Sequence, residues 1–323
     1  MAVSTGIAGL AAALGFSDGA KGGTAQSHAG FSARHLASRK DGATPGCYSL
    51  RMSDSDYHQA AGVSSTGLKQ MMRSPAHYRA WKERRIGSDD TAARRFGRAV
   101  HCRILEPLEW DARYVIWRGK DRRGKDYQQF AAAHPTKQVL LSEEFSNIAG
   151  CAESLLSSTD FPFQGYLDGI HLADGQCVLE PARTEFVIIW VDELTGITCR
   201  IKLDAVSPEP LIAVDVKTCG DARPQAFAAD IARLHYDLQA AFYLEGVRRF
   251  FGSDAPFIFA AVEAEPPHAH AFYVLPPAHD FVKNGRRKFR HALDTLAKCE
   301  ADQRWPAYAQ GLTEPVMTPW MAF

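Results

Sequence analysis

The sequence predicts an α/β protein, with a mixed central β-sheet flanked by helices. Three observations predict it. Between Glu185 and Thr218, three strand-like runs follow one another through tight turns. Helical periodicity lies on both sides of that block. Beyond it, two further strand-like runs precede a basic amphipathic helix.

Residues 1 to about 50 are rich in Gly, Ala and Ser and carry no sustained periodicity. They are expected to form a flexible arm, leaving residues 51–323 as the folded domain. Ordered structure is expected from near Tyr57. Ser64 and Ser65 offer N-caps to a helix carrying Leu68, Met71 and Met72, which Ser74-Pro75 interrupts. His77 to Arg85 reads as a second helix. Thr91 to Leu105 reads as a third, with Phe96, Val100 and Ile104 on one face and Pro107 beyond its end. The stretch 110–180 offers one helical run, Glu143 to Ser157, among loops.

Glu185 to Trp190 is strand-like, Asp192 to Gly196 is a turn, and Ile197 to Val206 alternates as a second strand. Ser207 to Pro210 turns the chain into a third strand, Leu211 to Thr218, so the simplest topology is an antiparallel meander. A helical region starting near Pro224 carries Phe227, Ile231, Leu238 and Phe242. Phe257 to Glu263 and Ala271 to Leu275 are strand candidates, and Phe281 to Glu300 is the basic amphipathic helix.

Composition narrows the class without naming a function. The chain has 323 residues, 46% hydrophobic and 23% charged, enough for one large domain or two small ones. Its 37 basic and 37 acidic side chains cancel, so any contact with nucleic acid must come from local clustering. Seven cysteines are scattered with no CxxC pair, which argues against a zinc ribbon and against a four-cysteine iron–sulfur clip. Reduced thiols point to a cytoplasmic compartment. No apolar run approaches the ~18 residues that span a bilayer, and the mildly apolar Gly6 to Phe16 lacks the preceding basic residues of a secretory signal. No membrane partner is expected.

The chemistry concentrates in Arg200 to Asp204 and Val214 to Lys217. In a strand, residues i and i+2 share a face, so Asp215 and Lys217 lie together while Val214 and Val216 face away. Asp204 closes the preceding strand across a tight turn, and two carboxylates and one ammonium can converge. Phosphodiester hydrolysis needs such a set: hard oxygen ligands for a divalent cation and a lysine to position water and stabilise charge. An Asp-x-Lys triplet is common, however, and a solvated edge-strand salt pair explains it equally well. His101, taken alone, is more often a core or surface residue, although neutral imidazole is a competent ligand for a divalent metal. Gln239 and Tyr243 stand four apart on one helical face, and are read either as core packing or as groups over the site.

The order His101, Asp204, Asp215-x-Lys217-Thr218 and Gln239-x-x-x-Tyr243 resembles the RecB-like and RecE-like branch of the PD-(D/E)XK, or restriction-endonuclease-like, nucleases. Gly67-Leu68, Ser74-Pro75-Ala76-His77-Tyr78, Phe96-Gly-x-Ala-x-His101, Leu105-Glu106-Pro107 and Gln239-Ala-Ala-Phe-Tyr243 are similar to RecE, the exodeoxyribonuclease VIII family, over roughly residues 55–290. The resemblance implies a Mg²⁺ site, with Mn²⁺ able to substitute, held by His101, Asp204, Asp215 and the Val216 carbonyl. It implies Lys217 as base or water-positioner, with Gln239 and Tyr243 beside the substrate phosphate. It further implies ATP-independent 5′→3′ digestion of linear double-stranded DNA from its ends, by a ring-shaped homo-oligomer working with a single-strand annealing protein. Glu185 is a candidate for an extra acid near the metal. No P-loop is present, so no ATP-driven motor is expected in this chain. Two readings compete: a RecB-like nuclease for single strands or flaps, and a DNA-binding scaffold that keeps the fold without turnover.

DNA would be held by local charge. Arg79, Lys82, Arg84, Arg85, Arg94, Arg95, Arg98 and Arg103 cluster around His101, and Lys283, Arg286, Arg287, Lys288 and Arg290 form a second group. Arg94, Arg95 and Arg98 are the favoured phosphate contacts. Ser64, Ser65 and Arg73 are candidates for a terminal 5′ phosphate at a helix start.

Overall fold

The computed structural model describes residues 47–50, 52–84, 90–158, 184–208 and 211–308, together with residues 311, 312, 314, 315 and 317. The arm expected over residues 1 to about 50 lies outside these residues, except that Tyr48–Leu50 form a strand, β1, paired antiparallel with Val187–Ile189.

Helices α1 (Asp54–Gln59), α2 (Ser65–Arg73) and α3 (Pro75–Lys82) follow. The serine caps expected from the sequence are in place: the Ser64 hydroxyl accepts from the Gly67 N–H, and Ser74 both ends α2 and accepts from the His77 N–H. Helix α4 (Ala92–Leu105) has Thr91 as its N-cap. A single turn, α5 (Trp110–Arg113), then leads into a pair not anticipated from the sequence. Strands β2 (Tyr114–Trp117) and β3 (Gln138–Leu141) run parallel as a separate two-stranded sheet, with α6 (Lys125–Ala133) between them. Helix α7 (Ser142–Leu156) completes this half.

The meander is present: β4 (Thr184–Val191), β5 (Thr198–Pro208) and β6 (Leu211–Cys219) pair antiparallel in sequence. The helical region beyond Pro224 is two helices, α8 (Pro224–Arg233) and α9 (Tyr236–Phe251), separated by His235 in the left-handed conformation at φ 53°. The break is held by a buried carboxylate: Asp237 accepts from the Leu238 N–H, from Asn284 at 2.7 Å and from Lys288 at 2.7 Å. After this crossover β7 (Phe257–Glu263) joins β6 in parallel, and β8 (His270–Leu275) returns antiparallel. The six-stranded sheet thus runs β1-β4-β5-β6-β7-β8. Helix α10 (Asp280–Asp302) closes the chain's described core.

Helices cover both faces of the sheet. Leu68 and Met71 of α2, Phe242 of α9 and Leu293 of α10 pack with Ile201, Leu203 and Ala213 on one face. Val100 of α4 and Ile148 of α7 pack with Val214, Val216 and Ile258 on the other. Strand β6 therefore divides as its alternation predicts, Val214 and Val216 entering the second core. Gly285 lets α10 lie directly on α9, because a Cβ there would collide with the Asp237 carbonyl.

One feature of the sheet creates the site. Strands β5 and β6 are paired from Pro208↔Leu211 to Ala205↔Val214 and no further. Past that rung β5 pairs with β4 and, at Cys199, bridges to Val63, while Asp215 to Cys219 pair with β7. Asp204 and Asp215, the next residues on each strand, stand at the fork. A ladder that ends inside a protein leaves backbone groups needing partners, and here side chains supply them.

Candidate active site

At the fork, Val216 is satisfied on both sides by chemistry-bearing groups. Its N–H donates to Asp204 Oδ2 at 2.7 Å, and its carbonyl accepts from His101 Nε2 at 2.8 Å. His101 comes from α4, which approaches the end of β6 because Gly97 presents no side chain to Thr218; an added Cβ would sit 3.3 Å from the threonine hydroxyl. His101 Nδ1 lies 3.5 Å from Asp204 Oδ2. Asp204 and Val216 are thus held as one unit with His101.

Glu185 joins them. At the start of β4 it takes φ 53°, a left-handed conformation that costs free energy for a residue with a Cβ. Among the described residues, His101, Glu185 and Asp204 form a set whose ligand atoms all lie within 4.8 Å of one another. Asp215 stands outside that set. Only 2% exposed, it is ion-paired with Lys217 and accepts from Gln239 Nε2 at 2.7 Å. The extra acid that the sequence offered only as a candidate is therefore grouped with the histidine, while Asp215 engages the lysine and the glutamine.

The electrostatics match this crowding. Burial and the neighbouring Asp215 charge push Asp204 up to about 8, against the pull of Lys217. Burial also raises Glu185 to about 7, although Lys202 draws it down; Lys202 bridges Glu185 and Asp54. His101 is held below its ordinary value by burial and by the Lys217 charge, which favours the neutral, ligating imidazole. For Lys217 burial works against the charged form, but Asp215 and Asp204 outweigh it and raise the pKa.

The donor set fits a hard divalent cation. With its Nε2–H donated to the Val216 carbonyl, neutral His101 carries its ligating lone pair on Nδ1, 3.5 Å from Asp204 Oδ2. Asp204 and Glu185 add carboxylate oxygens alongside. Carboxyls raised by burial and by a neighbouring carboxylate's charge are also what a cation would relieve.

Other expected residues fall differently. Gln239 is in the site, but Tyr243 lies one turn deeper, buried edge-on against Phe257, with its hydroxyl paired to Ser65. Ser65 is itself buried, so it supports the site from behind instead of facing DNA. Arg73 sits at the opposite end of α2, about 12 Å along the axis at 1.5 Å per residue; the two residues do not share one terminal phosphate. Half-buried Arg95 and exposed Arg98 pair with Asp90, and Arg94 is exposed on the same ridge as Arg98 and His101. In the second basic cluster, Arg290 holds Asp192, Lys288 holds the buried Asp237 and Lys283 holds Asp280. Arg290 and Lys288 serve the fold, and Lys283 makes an exposed surface pair. Arg85 lies outside the described residues.

Two groups in the site were not singled out in the sequence. Lys69 of α2 donates to Gln239 Oε1 at 3.2 Å, and its ammonium stands 5.0 Å from the centre of the Tyr236 ring. Lys217 stands 5.0 Å from the same centre. Burial and the Lys217 charge lower Lys69 to about 7. Tyr236 was within reach of pattern reasoning, since it precedes Gln239 and Tyr243 by i+3 and i+7 on one face. Lys69 has no such signature.

A mixed sheet whose central antiparallel pair forks at two aspartates, with an Asp-x-Lys strand on one side and a helix-borne histidine on the other, is the PD-(D/E)XK nuclease fold. Residues 64–314 match the family described as "PDDEXK-like domain of unknown function (DUF3799)", and the chain belongs to that family. The match reaches the superfamily expected from the motifs and does not single out RecE. Among solved structures, the chain is similar to a "Putative exonuclease" from Eubacterium rectale: 14% identity, TM-score 0.54, covering 83% of this chain and 97% of that one. At this identity the likeness concerns the fold. A second structure, SSO0001, is 13% identical over 72% of this chain and 85% of its own, with a TM-score of 0.27 too low to carry an argument. No significant match exists among curated proteins. Among the described residues, no helix is long and apolar enough to cross a membrane, and the described cysteines are free thiols.

Proposed function

We propose that the protein is a divalent-metal-dependent, ATP-independent exodeoxyribonuclease that hydrolyses linear double-stranded DNA from its ends, in the 5′→3′ direction. The observation that carries this is the convergence of His101, Glu185 and Asp204 within 4.8 Å, beside the buried Asp215–Lys217 pair at the strand fork. Mg²⁺ is the ion this oxygen-rich set suits, with Mn²⁺ as substitute; bound there, it would polarise the phosphate and acidify a water.

The chain's own groups account for the rest. Lys217, kept protonated by Asp215, places a positive charge where negative charge grows on the phosphate, and orients the attacking water. Gln239 fixes the Asp215 carboxylate and so the lysine. His101 fixes Asp204 through the Val216 peptide, so the ligands are set before substrate arrives. Arg94, Arg95 and Arg98 lead along α4 away from His101 and give the duplex a phosphate track. A single-strand annealing protein as consumer of the resulting strand, a homo-oligomeric ring and a cytoplasmic setting complete the proposal.

The test compares linear with covalently closed circular double-stranded DNA in Mg²⁺, with EDTA and Lys217→Ala as controls. Loss of the linear form alone, abolished by both controls, is the expected result. Nicking of the circle would replace the exonuclease reading with an endonuclease. DNA binding without cleavage in any metal would leave a scaffold.

A further inference from the structure

We propose that Lys69 is a second phosphate-binding residue of the site, donating with Lys217 to oxygens of one DNA phosphate beside the Tyr236 ring. This rests on the nuclease reading above and names a residue that reading does not require.

Three observations carry it. The first is where the cation stands. Lys69 reaches the site from α2, a helix that contributes none of the expected ligands, and its ammonium approaches the same ring as Lys217 at the same 5.0 Å. The second is its partnering. Lys217 is neutralised by Asp215, whereas Lys69 makes no ion pair among the described residues; its hydrogen bond goes to the neutral oxygen of Gln239 at 3.2 Å. An ammonium has three donors, so two remain for an anion. The third is cost. A partly buried cation without an ion-pair partner is costly to keep, with Asp215 and Asp237 acting on it only through space. A phosphate oxygen removes the imbalance, since it supplies the missing charge and accepts both spare N–H groups. Gln239 then links the two lysines: its oxygen accepts from Lys69 while its amide holds Asp215, the partner of Lys217.

The phosphate has two sources, the diester being cut or a terminal 5′ monophosphate. Wild type, Lys69→Met and Lys69→Arg are compared for kcat/KM on linear duplexes bearing 5′-phosphate or 5′-hydroxyl ends. Duplex binding is followed against salt by fluorescence anisotropy, with Ca²⁺ in place of Mg²⁺. Lys69→Met is expected to lose roughly 100-fold in kcat/KM, as loss of one transition-state donor does, and to lower the salt slope by about one; Lys69→Arg should recover most of both. Equal loss on both kinds of end assigns the scissile diester, and loss confined to phosphorylated ends assigns the terminal phosphate. If Lys69→Met does not fold, Lys69→Gln, which can still bond Gln239, carries the same comparison. An unchanged salt slope, whatever happens to activity, makes Lys69 a packing residue and overturns the proposal. A wild-type protein that cuts normally beside an equally active Lys69→Met sinks this proposal alone; a wild type inert toward every DNA sinks the nuclease reading and this proposal together.

Discussion

His101 Nε2 lies 2.8 Å from the carbonyl oxygen of Val216, a residue 115 positions further along the chain. The hydrogen bond fixes the ring before any ion arrives and leaves the lone pair on Nδ1, 3.5 Å from Asp204 Oδ2, as the ligating one. His101→Ala removes that ligand. Mn²⁺ affinity measured by titration calorimetry is expected to fall at least tenfold, roughly the low end of what loss of an outer-sphere partner alone costs. Unchanged affinity would remove His101 from the ligand set.

Lys217→Ala should abolish cleavage, but the structure adds a stability cost that a sequence reading omits. The substitution strands Asp215, 2% exposed, with only Gln239 for company. Breaking a buried pair on one side costs about 3–5 kcal/mol. Denaturant melts at pH 7 should show that loss, and Lys217→Ala with Asp215→Asn should restore part of it. A single variant as stable as wild type would mean that water already reaches Asp215.

The pH dependence of stability follows from the two raised carboxyls. Glu185 at about 7 and Asp204 at about 8 stay protonated in the folded chain over a range where the unfolded chain, with ordinary values of 4.5 and 3.8, has released its protons. Their contribution is fully present below the ordinary carboxylate range and is lost as pH rises through the folded values. In EDTA the melting temperature should fall from pH 5 to pH 8. A saturating divalent cation binds the ionised form and should flatten that fall. A metal-free protein that grows more stable across this window would contradict the assignment.

Charge on α4 should act through salt. Arg98 is exposed and its pairing with Asp90 is a surface ion pair worth little. Arg98→Glu is expected to weaken duplex binding for all sequences alike and to lower the salt slope by about one. Equal slopes for wild type and variant would place the duplex elsewhere.

Gly285→Ala probes a contact far from the chemistry. The added methyl must displace the Asp237 carbonyl at the start of α9, and overpacking of this kind costs about 1–3 kcal/mol. Because Tyr236 and Gln239 ride on the same turn, kcat should fall even where the protein remains folded. Full activity in a destabilised variant would show that α9 is anchored by other contacts.

Much of this architecture was legible because its signals are local. Strands β4 to β6 are apolar or alternating runs separated by turn-forming residues, so their limits came out within one or two residues. The face shared by Asp215 and Lys217 followed from the same alternation. Partners distant in sequence were not legible. Nothing in Glu185 signals a left-handed residue that brings it to His101, and nothing in Arg290 tells that it holds Asp192, 98 positions away. Strands β2 and β3, four residues each, are too short for alternation to stand out. Lys69 sits beside the apolar stripe of α2 and reads there as an ordinary solvated lysine.

The rungs from Ala205↔Val214 to Pro208↔Leu211 have a practical consequence. They act as a clamp on the fork where the candidate site lies. Residues inserted between positions 208 and 211 leave those rungs, and the register that sets Asp204 against Asp215, in place. A fluorophore or an affinity handle could therefore be grafted there without disturbing the site.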